Sequence, residues 1–453
     1  MKNVASCVST PVTNAEREST SSAIEERWSG LQILVVGLCF IVNMIDGMDV
    51  LVLSYIAPTL QLDWGVSADR IGVLFSAGIV GMAIGGLALA PLADVFGRRL
   101  VVILALTTST SGMLMSGLVT DIWQLMILRV IVGMGIGSVL ASMAALVSEY
   151  APDRHRNFAV GLLYAGYPLG AIATGLIAVH TIPAYGWKAT LVGAGMVSAL
   201  MLPLLYFFLP ESMQYLIKRR PPRALERLND IRQRIHRSSL TQLPAAVDSP
   251  TATGVRGLFT DGRARSTMLL WSSMILGFAS LWFAISWIPK LATMSGLDAS
   301  SAIYAGTSFN AGAFFGTVAL GLITARLKLQ PVIAVFLASA ALAMIVFGNS
   351  TVGAPALIAM AFVIGFLLQG GFNGIYPLGT RLYPAEVRST GIGWTMGVGR
   401  IGAVLGPLLG GVLISRDVPV SIIFLVFAVP AVVGGLCAAL VVTDQGERAS
   451  GHE

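Results

Sequence analysis

Asn43, Asp46 and Asp49 stand three residues apart inside an apolar run from about Leu31 to Pro58. A run of that length crosses a bilayer as a helix, and Asp46 falls near its middle. A charge at the bilayer centre costs roughly 2.5–3.5 kcal/mol on insertion scales, so such a carboxylate is expected to face a polar cavity, a partner or a proton path. The spacing gathers the three polar groups along one side of the helix. Two carboxylates this close resist being ionised together, and reversible protonation is the chemistry they suit, with Asp46 ahead of Asp49 for its depth. The competing expectation for both acids is structural pairing with Arg129 or Arg400.

Those arginines are the other charges inside apolar runs. Arg400 lies about ten residues into the run 389 to 414, or ~15 Å deep. A guanidinium stays charged and grips a carboxylate through two parallel hydrogen bonds, which makes Arg400 the candidate anchor for an anionic substrate. Its alternative is a packing ion pair with the other half of the chain. Arg129 shares a helix face with Gly133 and Gly137, four and eight residues on, where it can tether loops while the glycines admit a close helix.

Candidate ring contacts come from Gln369, Asn373 and Tyr376, spaced i, i+4 and i+7 on one face of a run, with Asn43, and from Tyr164, Tyr167, Trp282 and Trp394, which can stack on an aromatic ligand. Each aromatic taken alone also fits a core or lipid-interface role. His155, His180, His236 and His452 have no triad or metal-ligand company, so no catalytic group, metal site or cofactor is expected. Cys7, Cys39 and Cys437 show no disulfide or metal spacing.

The elements that must hold these residues are membrane helices. Of 453 residues 55% are hydrophobic and only 11% charged, and Gly reaches 50, as expected where helices approach closely. The fold class read from this is an all-α membrane protein with twelve spans. Apolar runs cover roughly 31–58, 70–92, 100–119, 122–148, 157–180, 188–209, 266–289, 300–325, 331–349, 354–378, 389–414 and 420–442. The polar stretch between runs six and seven, with an amphipathic helix expected over Ala224 to His236, joins two six-helix halves. The domains are then a tail 1–30, a half 31–209, a central loop 210–265, a half 266–442 and a tail 443–453. No soluble domain fits between the runs, and the polar first thirty residues carry no signal-peptide pattern.

With both termini in the cytoplasm, 23 of the 29 Lys and Arg lie on that side and 4 on the other. That positive-inside split accounts for the net charge of +6 without a nucleic-acid partner. The halves also resemble each other. Setting Pro152 on Pro384 brings Arg156 onto Arg388, Gly161 onto Gly393 and Gly170 onto Gly402. The loop at Asp94 has a degenerate copy in Thr324 to Lys328 that lacks the acid. Parallel halves of this kind put a substrate site at their interface near the bilayer midplane.

Leu92-Ala93-Asp94-Val-Phe-Gly97-Arg98-Arg99 between runs two and three, together with Arg129-x3-Gly133-x3-Gly137, resembles the major facilitator superfamily over about 31–442. Ala90 replaces the glycine that usually opens the loop motif. Asp46-Gly-Met-Asp49 and Gly397-Val-Gly399-Arg400-Ile-Gly402 to Pro407 resemble its aromatic acid:proton symporters. The resemblance implies import of benzoate or hydroxybenzoate-type carboxylates by alternating access, driven by a proton gradient, with Arg129 tuning a coupling acid. It also implies cytoplasmic gating by Asp94, Gly97, Arg98, Arg99, Glu149 and Arg156, with Glu386 and Arg388 in the second half. The protein is expected as a monomer in the bacterial inner membrane. The alternatives are a facilitator for another small organic anion or a sugar, and a non-transporting sensor on the same fold. A channel fits the two-half repeat and its buried charges less well.

Overall fold

The computed structural model describes residues 28–244, 255–260, 262–384 and 387–442. Three spans open on a side-chain cap that the sequence supplies, at Ser29, Asp121 and Asp298. Helix α1 (Gly30–Trp64) is opened by a reciprocal cap: Gln32 N–H donates to Ser29 Oγ at 3.2 Å and Ser29 N–H to Gln32 Oε1 at 2.8 Å. It ends at Gly65, left-handed at φ +60°. Pro58 does not end it, so the helix runs six residues past the end of the apolar run.

The chain continues through α2 (Ala68–Phe96), α3 (Arg98–Met115) and α4 (Ile122–Tyr150). Near Ala90 the end of α2 slackens into a π turn over Gly85–Leu89 and a 3-10 turn over Ala90–Leu92. The helical stretch Arg156–Phe208 merges two expected spans, because Thr181 to Tyr185 stay helical; only Gly186, at φ +78°, divides it into α5 (156–185) and α6 (187–208). The connector carries α7 (Met213–Arg219) and α8 (Ala224–Arg234). The second half comprises α9 (Ala264–Met294), α10 (Ala299–Thr324), α11 (Leu329–Asn349), α12 (Ala354–Asn373), α13 (Ile375–Leu382), α14 (Arg388–Ser415) and α15 (Val420–Ala439).

Ten helical stretches among the described residues are long and apolar enough to cross a membrane. The break at Gly186 makes two spans of one. Arg98 and Arg99 dilute α3, the remaining span, and the total is twelve. The tenth run also loosens, where Gly374 separates α12 from α13.

Both halves are assembled by the same pairings. In the first, α1 packs on α5, where a methyl at Gly170 would run into the Met44 carbonyl, and α2 packs on α4, where one at Gly81 would meet Val130. In the second, α9 packs on α14, with Gly402 against the Ile275 carbonyl, and α10 on α12, with Gly312 against Phe362. Gly170 and Gly402, which the internal alignment superposes, thus do one job in two places: each lets two backbones touch.

The halves meet at the end away from the connector and, deeper in, where Arg400 of α14 reaches Met82 of α2. At the end away from the connector, a methyl at Gly72 would lie 2.8 Å from the Pro407 carbonyl, Ser76 Oγ donates to Val404 O at 2.8 Å, and Phe75 meets Trp287 edge-on at 5.3 Å. Thr307 of α10 presses on Gly175 of α5. Toward the connector end, added methyls at Gly161, Gly393 and Gly397 would meet nothing within 4 Å, and Tyr164 and Trp394 are 49% and 45% exposed. The two halves are closed together at the far end and apart at the connector end.

Candidate functional site

Helix α1 carries the polar ladder at its centre because α5 lies against it without intervening side chains. Gly47 meets the Tyr167 carbonyl and Gly166 the Phe40 carbonyl, so Asn43 Nδ2 reaches Leu163 O at 2.7 Å. Asn43, Asp46 and Asp49 are 2%, 3% and 1% exposed. One N–H of the Asn43 side chain is thereby engaged in the α1–α5 contact.

Asp49 and Arg129 line one cavity of about 30 Å³, walled by α1, α2 and α4 of the first half and by Trp282, Ile285 and Ser286 of α9. A space of that size holds a water or two and no aromatic acid. Both carboxylate oxygens of Asp49, and Nε and Nη1 of Arg129, are buried without a hydrogen-bond partner. Arg129 is held from the other side, where Nη2 donates to Ser116 Oγ at 2.8 Å. The expected pairing of an acid with Arg129 is therefore electrostatic across a gap, and no salt bridge among the described residues includes Asp46, Asp49, Arg129 or Arg400.

Arg400 is partly buried and reaches across the interface, with Nη1 3.6 Å from Met82 Sδ of α2. Its electrostatic neighbours are the phenols of Tyr376 and Tyr167, and Tyr376 in turn neighbours Tyr164. Tyr167 also faces Asp46, and its hydroxyl is buried without a partner. Arg400 thus gathers two of the sequence candidates, Tyr376 and Tyr167, with Tyr164 next to Tyr376, and among the described residues it is in no salt bridge.

Other candidates are not brought together. Gln369, Asn373 and Tyr376 lie along one span, Ala354–Leu382, whose helix loosens at Gly374 while the backbone there stays helical at φ −67° and ψ −21°. Gln369 Nε2 donates to Asn373 Oδ1 at 3.0 Å and Asn373 Nδ2 to Thr317 Oγ1 at 2.8 Å, while Tyr376, past Gly374, turns to Arg400. Trp394 stacks on Trp271 of its own half at 6.1 Å, and Phe259 meets Trp271 edge-on at 5.5 Å. Trp282 belongs to the wall beside Asp49.

The charge clusters at the connector end lie within halves. Arg98 pairs with Glu149, whose two oxygens also accept from Ser212 Oγ at 3.0 and 2.8 Å. Arg99 N–H donates to Glu211 at 3.1 Å, and Arg219 Nε to the Asp94 carbonyl at 2.9 Å. Gly97, at φ +100°, makes the turn into α3, and a side chain there would strike Glu211. Arg156 pairs with Asp153, and Arg388 Nε donates to Tyr383 O at 3.2 Å. Glu386 lies outside the described residues.

Ser116, Met82, Tyr55 and Glu211 join the site without having been singled out as its members. Tyr55 donates to Ala171 O at 3.2 Å beside Thr307. A serine, a methionine and a tyrosine inside apolar runs look like any core residue. Glu211, next to Pro210 at the end of the sixth run, was the one with a visible signal.

The Major Facilitator Superfamily model matches residues 39–402. The chain is 30% identical to the gallate transporter of Pseudomonas putida, covering 92% of each chain. It is 31% identical to the 4-hydroxybenzoate transporter PcaK of Pseudomonas aeruginosa, covering 85% of this chain and 87% of the relative. Among solved structures, an inward-facing, unoccupied bacterial homolog of the human lysosomal transporter Spinster superposes with a TM-score of 0.72 at 16% identity, covering 92% of this chain and 98% of that one.

Proposed function

From the fact that the chain belongs to the major facilitator superfamily, we propose that it carries hydroxylated or plain aromatic carboxylates into the cell together with protons. The observation that supports this reading above the rest is Arg400, a guanidinium at the interface of the halves with the phenols of Tyr376 and Tyr167 beside it and, among the described residues, no carboxylate paired to it. A planar anion suits that setting. Its carboxylate takes the guanidinium fork and its ring lies against tyrosine faces. The names of the gallate and 4-hydroxybenzoate relatives point to the same class.

Charge balance supports the proton. Asp46, Asp49, Arg129 and Arg400 sum to zero when all are ionised, so a bound monoanion leaves the interior one charge negative, and one proton on Asp46 restores neutrality. Because uncompensated charge is expensive in the bilayer, the half-to-half motion is favoured either empty or with both cargoes aboard. One proton per monovalent anion follows. With the connector end in the cytoplasm, as the basic residues suggest, the present arrangement is the one from which cargo leaves inward.

Binding to purified protein tests the anchor. Arg400→Ala should lose 4-hydroxybenzoate affinity by tenfold or more, roughly the loss expected for a charge-assisted hydrogen-bonded pair. Arg400→Lys should recover part of it, as a point charge without the fork. Unchanged affinity in Arg400→Ala, with folding intact, would refute the assignment.

A further inference from the structure

A second cavity, of about 270 Å³, opens at the connector end, outside the path between the halves. Its walls come from the end of α4 (Ser148, Glu149), the start of α5 (Arg156), α7 (Met213, Gln214, Ile217) and α8 with the turn after it (Leu228, Arg232, Arg237). Three guanidinium groups from separate elements therefore share one small space.

Their counter-charges do not match them. Glu149 also lines the cavity, but Arg98 and Ser212 take its oxygens. Asp153 pairs with Arg156 and stands 3.7 Å from Arg237, the longest ion pair among the described residues. The hydrogen bond of Arg232 runs from Nε to the Ser238 carbonyl at 2.7 Å, which leaves its charge unopposed. One carboxylate thus serves two of the three arginines, Arg156 and Arg237, and the third, Arg232, has none among the described residues. Like charges held this close cost free energy unless an anion joins them.

We propose that this cavity binds a phosphate ester, either the headgroup of an anionic phospholipid or a soluble organophosphate. A carboxylate satisfies one guanidinium fork, whereas a phosphate presents acceptors to several forks at once. Part of the remaining wall is apolar, formed by Met213, Ile217 and Leu228, and suits the carbon skeleton of the ester. The cavity also lies where α4 ends and α5 begins, the level at which the chain leaves the bilayer and a juxtamembrane basic cluster meets anionic headgroups. Because Glu149 both walls the cavity and pairs with Arg98, an occupant would bear on the cluster at the turn between α2 and α3.

The test uses full-length protein and two ligand sources, with no transport readout, so its result is independent of the carrier reading. In one arm, protein in nanodiscs of phosphatidylcholine with a minor share of phosphatidylglycerol is released and its retained lipids are weighed by native mass spectrometry. In the other, glycerol 3-phosphate is titrated into protein in pure phosphatidylcholine nanodiscs by calorimetry. Wild type should bind in at least one arm. Arg232→Gln/Arg237→Gln should reduce that binding roughly tenfold, as expected when charge-assisted hydrogen bonds are lost. Arg227→Gln, an exposed arginine of α8 that does not line the cavity, should leave it unchanged. An effect confined to phosphatidylglycerol identifies a lipid headgroup, and one with glycerol 3-phosphate a soluble ester. If the double variant equals wild type in both arms, or Arg227→Gln loses as much, the site does not exist.

Discussion

Asp49 and Arg129 are two buried opposite charges that line one cavity without a direct bond, so each is the other's main compensation. Removing one leaves a lone ion in the interior, which typically costs about 3–5 kcal/mol, whereas removing both costs far less. Arg129→Gln and Asp49→Asn should each lower the melting temperature of detergent-purified protein, and the double variant should regain most of the loss. Additive losses would mean that the two do not interact. Asp46 has a different task under the proposed mechanism. Neutral in Asp46→Asn, it cannot take or release a proton, so the variant should exchange labelled 4-hydroxybenzoate across proteoliposomes yet fail to accumulate it when the outside is made acidic. Wild type should bind anion more tightly as pH falls, since protonation of Asp46 removes a negative charge near the cargo, and in the variant that dependence should flatten. Asp46, Asp49, Arg129 and Arg400 were legible in the chain because each interrupts an apolar run. Ser116 and Met82, which hold the two arginines, were not: their chemistry is ordinary for a core, and Met82 is met by a residue more than three hundred positions away.

At the scale of elements, the apolar runs foretold where helices lie but not how they end. Pro58 sits inside α1, Gly186 bends one helical stretch into two spans, and Gly374 loosens the tenth run, because a glycine or proline ends, bends or merely decorates a helix according to what packs on it. The internal repeat was more informative, since it paired glycines that turn out to have equal surroundings. Gly170 and Gly402 lie on the carbonyls of Met44 and Ile275, while Gly161 and Gly393 have room around them. Alanine at Gly170 or Gly402 should therefore lower the melting temperature by forcing helices apart, an overpacking cost of roughly 1–3 kcal/mol. Alanine at Gly161 or Gly393 should be neutral or stabilise by up to about 1 kcal/mol, the helix preference of Ala over Gly. If all four behave alike, the backbone contacts do not bear on stability.

The whole molecule has one closed end and one open end, and no single run of sequence holds that fact. It arises where α2 meets α14, with Gly411 against Ala68 and Gly72 and with Ser76 bonded to Val404, and where Thr307 of α10 meets Gly175 of α5. These contacts are small residues and backbone, so the far end closes by surface fit, with no ion pair among the described residues bridging the halves there. A closure of that kind is easily biased. Leucine in place of Gly411 would lie where α2 now sits, and the halves can accept it only by parting at the far end, which moves the population toward the opposite arrangement. With Cys7, Cys39 and Cys437 changed to Ser, Ser76→Cys provides a reporter that is 5% exposed when the end is shut. A membrane-impermeant thiol reagent added outside cells should label it slowly in that background and much faster once Gly411→Leu is added. Anion release toward the connector end should slow in step, because the two ends are opened by one rocking motion and a bias toward either is a bias against the other. Equal labelling with and without Gly411→Leu would mean that the far-end contacts are not what holds the halves in their present arrangement.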